Sequence, residues 1–142
     1  MPAIDRRTTD DHHSTFHAML GAAQEKAAAL GIAVNIVVLD AGAYLKGFAR
    51  MEGTVLGSID VAIRKARTSV LFECNSDAVW DYCKPDAPAH LLELSNGGLT
   101  PFAGGILVRN SDGNFVGAIG VSGGAPSQDH AVAEATAKTS TD

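Results

Sequence analysis

The spacing of apolar residues changes along the chain and divides its first part into a helix and a hairpin. Over residues 9–30 the apolar positions recur at intervals of three and four, which predicts a helix with one face on a core. Gly31 follows, at a position where a left-handed helix cap is common. Residues 32–39 are almost wholly apolar and rich in β-branched side chains, which is typical of a buried strand. Turn residues and an extended run over 44–50 complete a predicted hairpin.

The middle of the chain is predicted to be helical, with an irregular end. Helical spacing returns over residues 55–72, whose polar face is charged. Ser76 is predicted to cap a short helix that Pro85 must end, because proline cannot continue a helix. Residues 87–94 are predicted to add another turn or two of helix.

The last third of the chain is predicted to contain a second hairpin and a final helix. Residues 96–105 are rich in glycine and have no regular period. An Asp-Gly turn lies between the apolar runs 106–109 and 115–122, and this arrangement is a strong hairpin signal. Ser127 is placed to cap a last helix.

The order of these elements predicts an α+β fold. Short hairpin connections force neighbouring strands to be antiparallel, so we expect an antiparallel sheet of four to five strands flanked by helices. With 142 residues and a mass of 14.7 kDa, the chain has the size of one domain, and we predict a single domain over residues 1–142. Residues 1–8 and 138–142 are expected to fray.

Composition and charge argue against several classes of protein. Apolar residues make up 46% of the chain and charged residues 19%, which is unlike a disordered tail. No apolar run approaches the roughly 18 residues of a membrane-spanning helix. The net charge is −5 and the basic residues form no cluster, so we expect neither nucleic acid nor a membrane as a partner.

The start of the chain and its cysteines bear on the compartment. Residues 1–7 turn polar at once and contain no apolar signal segment. The only cysteines are Cys74 and Cys83, too few for a disulfide framework in a chain of this length. We therefore predict a cytoplasmic protein with reduced thiols, and a disulfide between the two cysteines is the alternative.

Three of the five histidines lie near the start of the chain, at His12, His13 and His17. His13 and His17 are four residues apart and share one helix face. An imidazole pair at this spacing can bind a transition metal, and one member can be an axial ligand of a haem iron. The alternative is a polar first helical turn whose histidines are solvated.

A second group of polar residues follows the first hairpin. Arg50 and Glu52 are predicted to lie at a strand end, just before a helix that contains Ser58, Asp60 and Lys65. A strand end beside a helix N-terminus suits a carboxylate or phosphate, which an arginine can hold by two parallel hydrogen bonds. The alternative is structural ion pairing, of Arg50 with Glu52 or of Asp60 with Lys65.

Glycines recur through the second half of the chain, at 97–98, at 104–105 and over 117–124. Glycine in a strand marks a close approach of the backbone, either to a packed helix or to a ligand. No dinucleotide or phosphate-loop motif is present in the required frame, so a nucleotide site is not predicted. Asp129 and His130 follow at a predicted helix start, either as an acid–base pair or as a helix cap.

These motifs together resemble the GlcG/HbpS-like family, which includes the C-terminal domain of PduO-type corrinoid adenosyltransferases. The resemblance extends from about residue 16 to about residue 135 and is specific because the short motifs keep their order and spacing. The matching segments of the first half are residues 37–42, 50–53 and 58–68. Those of the second half are residues 104–106, 113, 116–123 and 128–129. Glu52 replaces an Asp that is usual in the family, and His130 replaces a common Glu.

The resemblance implies a profilin-like architecture, assembly into symmetric homo-oligomers and, in some members, haem binding through a histidine of the N-terminal helix. We therefore expect a protein that binds a small molecule, most directly haem or a related tetrapyrrole, with His13 or His17 as the axial ligand of the iron. The residues assigned to ligand binding are Arg50, Ser58, Gly104, Gly105, Ser122, Gln128 and Asp129.

Two other functions are compatible with the same residues. The first is an enzyme of a catabolic operon that acts on a small oxo- or hydroxy-acid as an isomerase, tautomerase or decarboxylase. In it Arg50 would hold the carboxylate, and Glu52, Lys65 or His130 would move a proton. The second is an accessory subunit of a neighbouring enzyme.

Overall fold

A computed structural model describes the backbone of residues 13–138 and the side chains of residues 15–138. Four helices and four strands make up this described part of the chain. In chain order they are α1 (His13–Ala29), β1 (Asn35–Asp40), β2 (Leu45–Arg50), α2 (Ser58–Phe72), α3 (Trp80–Cys83), β3 (Gly105–Arg109), β4 (Phe115–Ser122) and α4 (Pro126–Ala137). Two 3-10 turns, Ser76–Val79 and Leu92–Leu94, flank α3.

The four strands form one sheet in the order β2-β1-β4-β3, and all neighbours are antiparallel. The predicted α+β class and both hairpins are confirmed, and the strand number is the lower of the two expected. Helices α1 and α4 pack on one face of the sheet and α2 packs on the other. None of the described helices is long and apolar enough to cross a membrane.

The two faces of the sheet have different cores because side chains alternate along each strand. Ile36 and Val38 of β1 point toward α1 and α4, where they join the buried apolar face of α1. Val37 and Leu39, on the other face of the same strand, pack against small residues of α2, among them Ala62 and Ala66.

The first helix ends at Ala29, one residue before the predicted end, and β1 begins later than the apolar pattern indicates. Gly31 has a φ of 73° after the last turn of α1, which confirms the predicted left-handed end. Residues 32–34 carry the chain from the helix into the sheet, and β1 begins only at Asn35. The start of the predicted helix, residues 9–12, and the frayed ends predicted for 1–8 and 138–142, with the exception of residue 138, lie outside the described residues.

Two predicted helix caps are wrong. Asn75 precedes the turn that Ser76 was expected to cap, and the Ser76 hydroxyl instead accepts a hydrogen bond from the Gly105 backbone N–H at 2.8 Å. Helix α4 begins at Pro126, because proline fits the first turn, where its missing N–H is not needed. Ser127 therefore lies inside the helix.

Three further predictions about the middle of the chain are wrong in detail. Helix α2 begins at Ser58, three residues later than predicted. Over residues 87–94 the only regular element is the 3-10 turn Leu92–Leu94, because Leu91 has a left-handed φ of 72° that no α-helix accommodates. The proposed pair Asp60–Lys65 does not form: Asp60 pairs with Arg64 at 2.7 Å, on the exposed side of the helix.

Candidate functional site

Glycines of β3 and β4 let the backbone of α2 lie directly on the sheet. Gly105 and Gly120 are register partners. A Cβ atom at Gly105 would lie 2.3 Å from the carbonyl oxygen of Lys65, and one at Gly120 would lie 2.1 Å from that of Ala62. Such distances are far inside van der Waals contact, so any side chain here would push the helix away from the sheet. Of the two explanations for the glycine series, a packed helix therefore accounts for these positions.

The close approach carries the side chain of Lys65 to the end of β4. The Lys65 ammonium donates to the carbonyl oxygen of Val121 at 2.9 Å and to Oδ2 of Asp129 at 3.1 Å. The side chains of this ion pair are almost fully buried, with 1% of Lys65 and 2% of Asp129 exposed. Gly104, with a φ of 133°, lies beside the pair, and a Cβ there would come within 2.6 Å of Lys65 Nζ.

Asp129 is held in place by a second hydrogen bond. Its Oδ1 accepts from the Gly124 backbone N–H at 2.9 Å, so the carboxylate joins the loop after β4 to the first turn of α4. Burial lowers the pKa of the Lys65 ammonium from its ordinary value, and the Asp129 carboxylate acts in the opposite direction. The lysine is thus held in an environment that favours its neutral form more than water does.

An aromatic ring covers the ammonium on another side. The centroid of the Phe102 ring lies 5.1 Å from Lys65 Nζ, within the range of a cation–π contact. Phe102 belongs to the irregular segment before β3, and its side chain is 45% exposed. One part of the ring therefore faces solvent while another part contacts the buried charge.

These groups line an open cleft of about 260 Å³ between the N-terminal end of α2 and the loop that joins β4 to α4. Pockets for drug-sized ligands measure roughly 300–1,000 Å³, so this cleft suits a small metabolite. Its polar lining comes from two hydroxyls and the ion pair, and its apolar lining from aliphatic and aromatic side chains. The polar residues are Ser58, Lys65, Ser122 and Asp129; the apolar ones include Val55, Val61, Phe102 and Pro126.

A row of polar residues crosses the sheet behind the cleft. Asn35 of β1 pairs in register with Arg50 on one side and with Ser122 on the other. The buried Asn35 amide donates to the Ser58 hydroxyl at 2.6 Å. Its Oδ1 has no hydrogen-bond partner among the described residues. This end of the sheet therefore concentrates polar groups on the α2 face.

A wider depression of about 550 Å³ adjoins Phe102 on its other side. Trp80 and Pro101 supply its apolar surface, and Asp77 and Asp81 its charge. All of these side chains are at least partly exposed. The depression therefore lacks the buried polar groups that would fix the orientation of a ligand.

The histidine predicted to bind iron lies on the outer side of α1. Phe16 and Met19 point into the core, and His17 is exposed on the helix face turned away from it. The side chain of His13, its predicted partner, lies outside the described residues. Among the side chains that the structure describes, no group of three or more His, Cys, Asp and Glu residues could hold a metal ion.

The fold recurs in known proteins. The family model described as haem degrading protein HbpS-like matches residues 12–138, which include every residue that the structure describes. The chain belongs to the HbpS-like family. The resemblance drawn from the short sequence motifs is thereby confirmed.

Two curated relatives of this HbpS-like protein are each 31% identical to it. One is an uncharacterized 15.0 kDa protein from the dhaT-dhaS intergenic region of Citrobacter freundii, and the match covers 82% of both chains. The other is the corrinoid adenosyltransferase PduO of Salmonella typhimurium. There the match covers 83% of this chain but only 35% of PduO, so this chain corresponds to about a third of that enzyme.

Several solved structures superpose closely on 89% of this chain. Klebsiella pneumoniae protein ORFY gives a TM-score of 0.86 at 26% identity and is covered over 88% of its length. PduOC in complex with haem gives 0.84 at 29% identity and 92% coverage. A double mutant of Streptomyces reticuli HbpS gives 0.78 at 29% identity and 84% coverage.

The structure brings together only part of the predicted ligand-binding set. Ser58, Ser122 and Asp129 line the cleft with Lys65. Gly104 and Gly105 do not line it but pack against α2, and the Gln128 side chain accepts a hydrogen bond from the Ala125 N–H at 3.0 Å, at the start of α4. Arg50 is exposed and does not line the cleft.

The predicted catalytic set is not assembled. Of Glu52, Lys65 and His130, only Lys65 lines the cleft. Glu52 is exposed on the turn after β2, and His130 Nε2 lies 3.0 Å from Glu134 Oε2 on the outer side of α4. The acid–base pair considered for Asp129 and His130 also does not form. Because helical neighbours diverge by about 100°, Asp129 points inward to Lys65 while His130 points outward.

Sequence reasoning missed two members of the site, Phe102 and Asn35. A signal existed for Asn35, which is the one polar residue in the apolar stretch 32–39. Phe102 lies in the glycine-rich segment without a regular period, so no pattern indicated the direction of its ring.

Proposed function

We propose that this protein binds haem or a related tetrapyrrole as a homo-oligomer, with a histidine of α1 as axial ligand of the iron. The proposal is supported by the family, whose model is described as haem-degrading, and by the similar protein PduOC, whose solved structure is a complex with haem. It extends to a cytoplasmic location, which the free thiols of Cys74 and Cys83 suit.

The observation that carries the proposal is the position of His17. Its imidazole is exposed on α1 while Phe16 and Met19 anchor the opposite side of the helix in the core. An axial ligand of a haem iron has to be accessible to the macrocycle. An exposed imidazole on a helix that is packed by its opposite side meets this requirement.

The surface next to His17 also suits a flat ligand. Gly21 lies one turn farther along the same face, and a Cβ atom there would have nothing within 4 Å. His13 precedes His17 by four residues, which is the spacing expected for one helix face. The cleft at Lys65, with about 260 Å³, is too small for a macrocycle. The outer face of α1 is therefore the place where we expect the tetrapyrrole.

This position connects haem binding with self-association. A macrocycle laid on an exposed helix leaves its second face open to water, and burial of that apolar face is favourable. A second copy of the chain, placed symmetrically on the same haem, would cover it. We therefore expect haem and oligomer formation to stabilise one another.

A titration with hemin tests the proposal. The wild-type protein is expected to shift the Soret band and to give the spectrum of histidine-ligated iron. Loss of a group behind a metal ligand already weakens metal affinity by about 10–100-fold, so His17→Ala or His13→Ala, whichever removes the ligand, should weaken hemin binding at least as much.

The matched control is His90→Ala, because His90 is an exposed histidine of a distant loop. It should titrate like the wild type. Axial ligation by α1 is ruled out when the double variant His13→Ala/His17→Ala keeps the wild-type spectrum and affinity. Sedimentation of the haem-free and haem-loaded protein measures the oligomer.

A further inference from the structure

We propose that the cleft is a separate site for a small aldehyde or ketone, which forms an imine with the Nζ of Lys65. The site does not depend on haem binding, since it lies between α2 and the start of α4. Its ligand class follows from the chemistry of an amine that is buried but borders a cavity.

The position of Lys65 is what such chemistry requires. Imine-forming lysines are activated by removal from water, because an ammonium ion has no lone pair and burial favours the neutral amine. Lys65 is 1% exposed, has Asp129 at 3.1 Å as a proton acceptor, and borders the cleft. Lys84 and Lys138, by contrast, are exposed and form surface ion pairs.

A purely structural role explains this arrangement less well. A buried ion pair contributes little to stability compared with apolar side chains of the same volume, since both charges lose their hydration. The α2 face already has an apolar core, in which Val37, Ala62 and Ala66 are buried. A charged pair at the floor of a cavity is therefore more readily understood as a binding group.

The rest of the lining limits the ligand to a small and partly polar molecule. The cleft volume of about 260 Å³ admits a compound of a few carbon atoms. The hydroxyl of Ser122 lies on the same lining and offers a hydrogen bond to an oxygen substituent of the ligand, whereas the Ser58 hydroxyl already donates to the carbonyl oxygen of Val55. Phe102 and Val61 provide the apolar surface for its carbon chain.

The proposed step is balanced without any further reagent. The Lys65 ammonium gives a proton to the Asp129 carboxylate, and the freed lone pair of Nζ forms a bond to the carbonyl carbon. The C=O π electrons move to the oxygen, which takes the proton back from Asp129 to become a hydroxyl. Nζ then loses a second proton to this hydroxyl through the same carboxylate, water leaves, and the C=N bond of the imine forms.

Reductive trapping on the wild-type protein tests the site. The haem-free protein is incubated with glyoxylic acid, acetaldehyde or acetone, reduced with borohydride, digested and mapped by mass spectrometry. We expect Lys65 to carry at least about tenfold more adduct than Lys84 or Lys138, because positioned acid–base groups alone contribute about 10²–10⁴-fold. A map in which the exposed lysines carry the adduct and Lys65 carries none overturns the proposal.

Two controls separate a specific site from general lysine reactivity. A polymeric aldehyde, oxidised dextran, is far larger than the cleft and should label only exposed lysines. Lys84→Met should keep the small-aldehyde adduct on Lys65, whereas Lys65→Met should lose it. Circular dichroism establishes whether Lys65→Met folds. If it does not fold, the adduct map of the wild-type protein decides. If His13→Ala/His17→Ala forms the same adduct on Lys65, imine formation in the cleft does not depend on the histidines of α1. Either proposal can then fail without the other.

Discussion

The two faces of the sheet pack against their helices in different ways, one through large apolar side chains and the other through glycine. In strand β4, Ile119 and Val121 point toward α1 and α4 and fill that side with large apolar side chains. Gly120, between them, points toward α2 and has no side chain to offer. Ser122, the last residue of the strand, faces the cleft on the α2 side with a hydroxyl.

The difference shows how a polar site can be built beside a hydrophobic core. Where side chains are large, a helix lies at the distance that they set, and nothing but apolar surface is buried. Where the strands carry glycine, the helix backbone descends onto the sheet, and a long side chain such as that of Lys65 reaches past the strand end. The α1/α4 face is therefore a core alone, and the α2 face is a core with a site at its edge.

The strongest test of this contrast removes the charge of Lys65. In Lys65→Met the Asp129 carboxylate stays buried without its partner, so we expect the free energy of unfolding to fall by about 3–5 kcal/mol. Chemical denaturation at neutral pH measures the loss. The double variant Lys65→Met/Asp129→Asn should recover part of it, because a neutral amide can still accept from the Gly124 N–H.

The control for this prediction is Lys138→Met, which also removes one positive charge. Lys138 pairs with Glu134 on the surface at 3.0 Å, and exposed pairs contribute little. Its stability should be indistinguishable from the wild type. Equal losses in the two lysine variants would show that the buried pair on the α2 face has no special energetic role.

Two neighbouring residues of β4 offer a direct comparison of the faces. Gly120→Ala adds one carbon atom that would lie 2.1 Å from the carbonyl oxygen of Ala62, and the backbone cannot yield as a flexible side chain does. We expect a loss of about 3 kcal/mol or more in the free energy of unfolding. Ile119→Val removes one carbon atom on the opposite face and should cost only about 1 kcal/mol.

Thermal and urea unfolding of both variants measure the difference. If Gly120→Ala were as stable as Ile119→Val, the helix would not rest on the glycine, and the explanation of the site by close approach would be wrong.

The smallest expected effect concerns a glycine that no packing requires. Gly21 lies inside α1, and a Cβ there would meet nothing within 4 Å. Gly21→Ala should therefore raise the free energy of unfolding by about 0.5–1 kcal/mol, since alanine loses less backbone entropy in a helix.

Gly31→Ala is the matched control, because it adds the same methyl group to an equally open position but at a φ of 73°. The left-handed conformation should make this variant less stable by about 1–2 kcal/mol. The free energy of unfolding of both variants is measured in one urea series. Changes of opposite sign would show that the backbone conformation, and not the room for a methyl group, decides the effect of the alanine. Changes of the same sign would contradict this explanation.

Local pattern predicted the elements that depend on neighbours in sequence. The alternation from helical to extended spacing located α1, both hairpins and α4, and the Asp-Gly turn located the second hairpin. The helix starts were predicted less well. Ser76 and Ser127 have the residue type of a cap, but hydroxyls also bond to distant backbone, as Ser76 does to Gly105.

The candidate site was predicted only in part, because its members are far apart in the chain. Lys65 and Asp129 were both singled out, but as partners of Asp60 and His130. The actual pair joins residues 64 positions apart, and no spacing rule relates them. Phe102 has no sequence signal because its place depends on an irregular segment.

Sequence by itself determined the order of the main helices and strands, which faces are apolar, and the family to which the chain belongs, since these follow from short-range periodicity and from ordered motifs. Tertiary structure alone decided that Lys65 meets Asp129 at a cleft while Glu52 and His130 remain outside it. The reason is that the pattern of a strand or helix depends on residues that are near one another in sequence. The site instead depends on the distance between α2 and the sheet, which Gly105 and Gly120 reduce, and this short distance brings side chains far apart in sequence within hydrogen-bond reach.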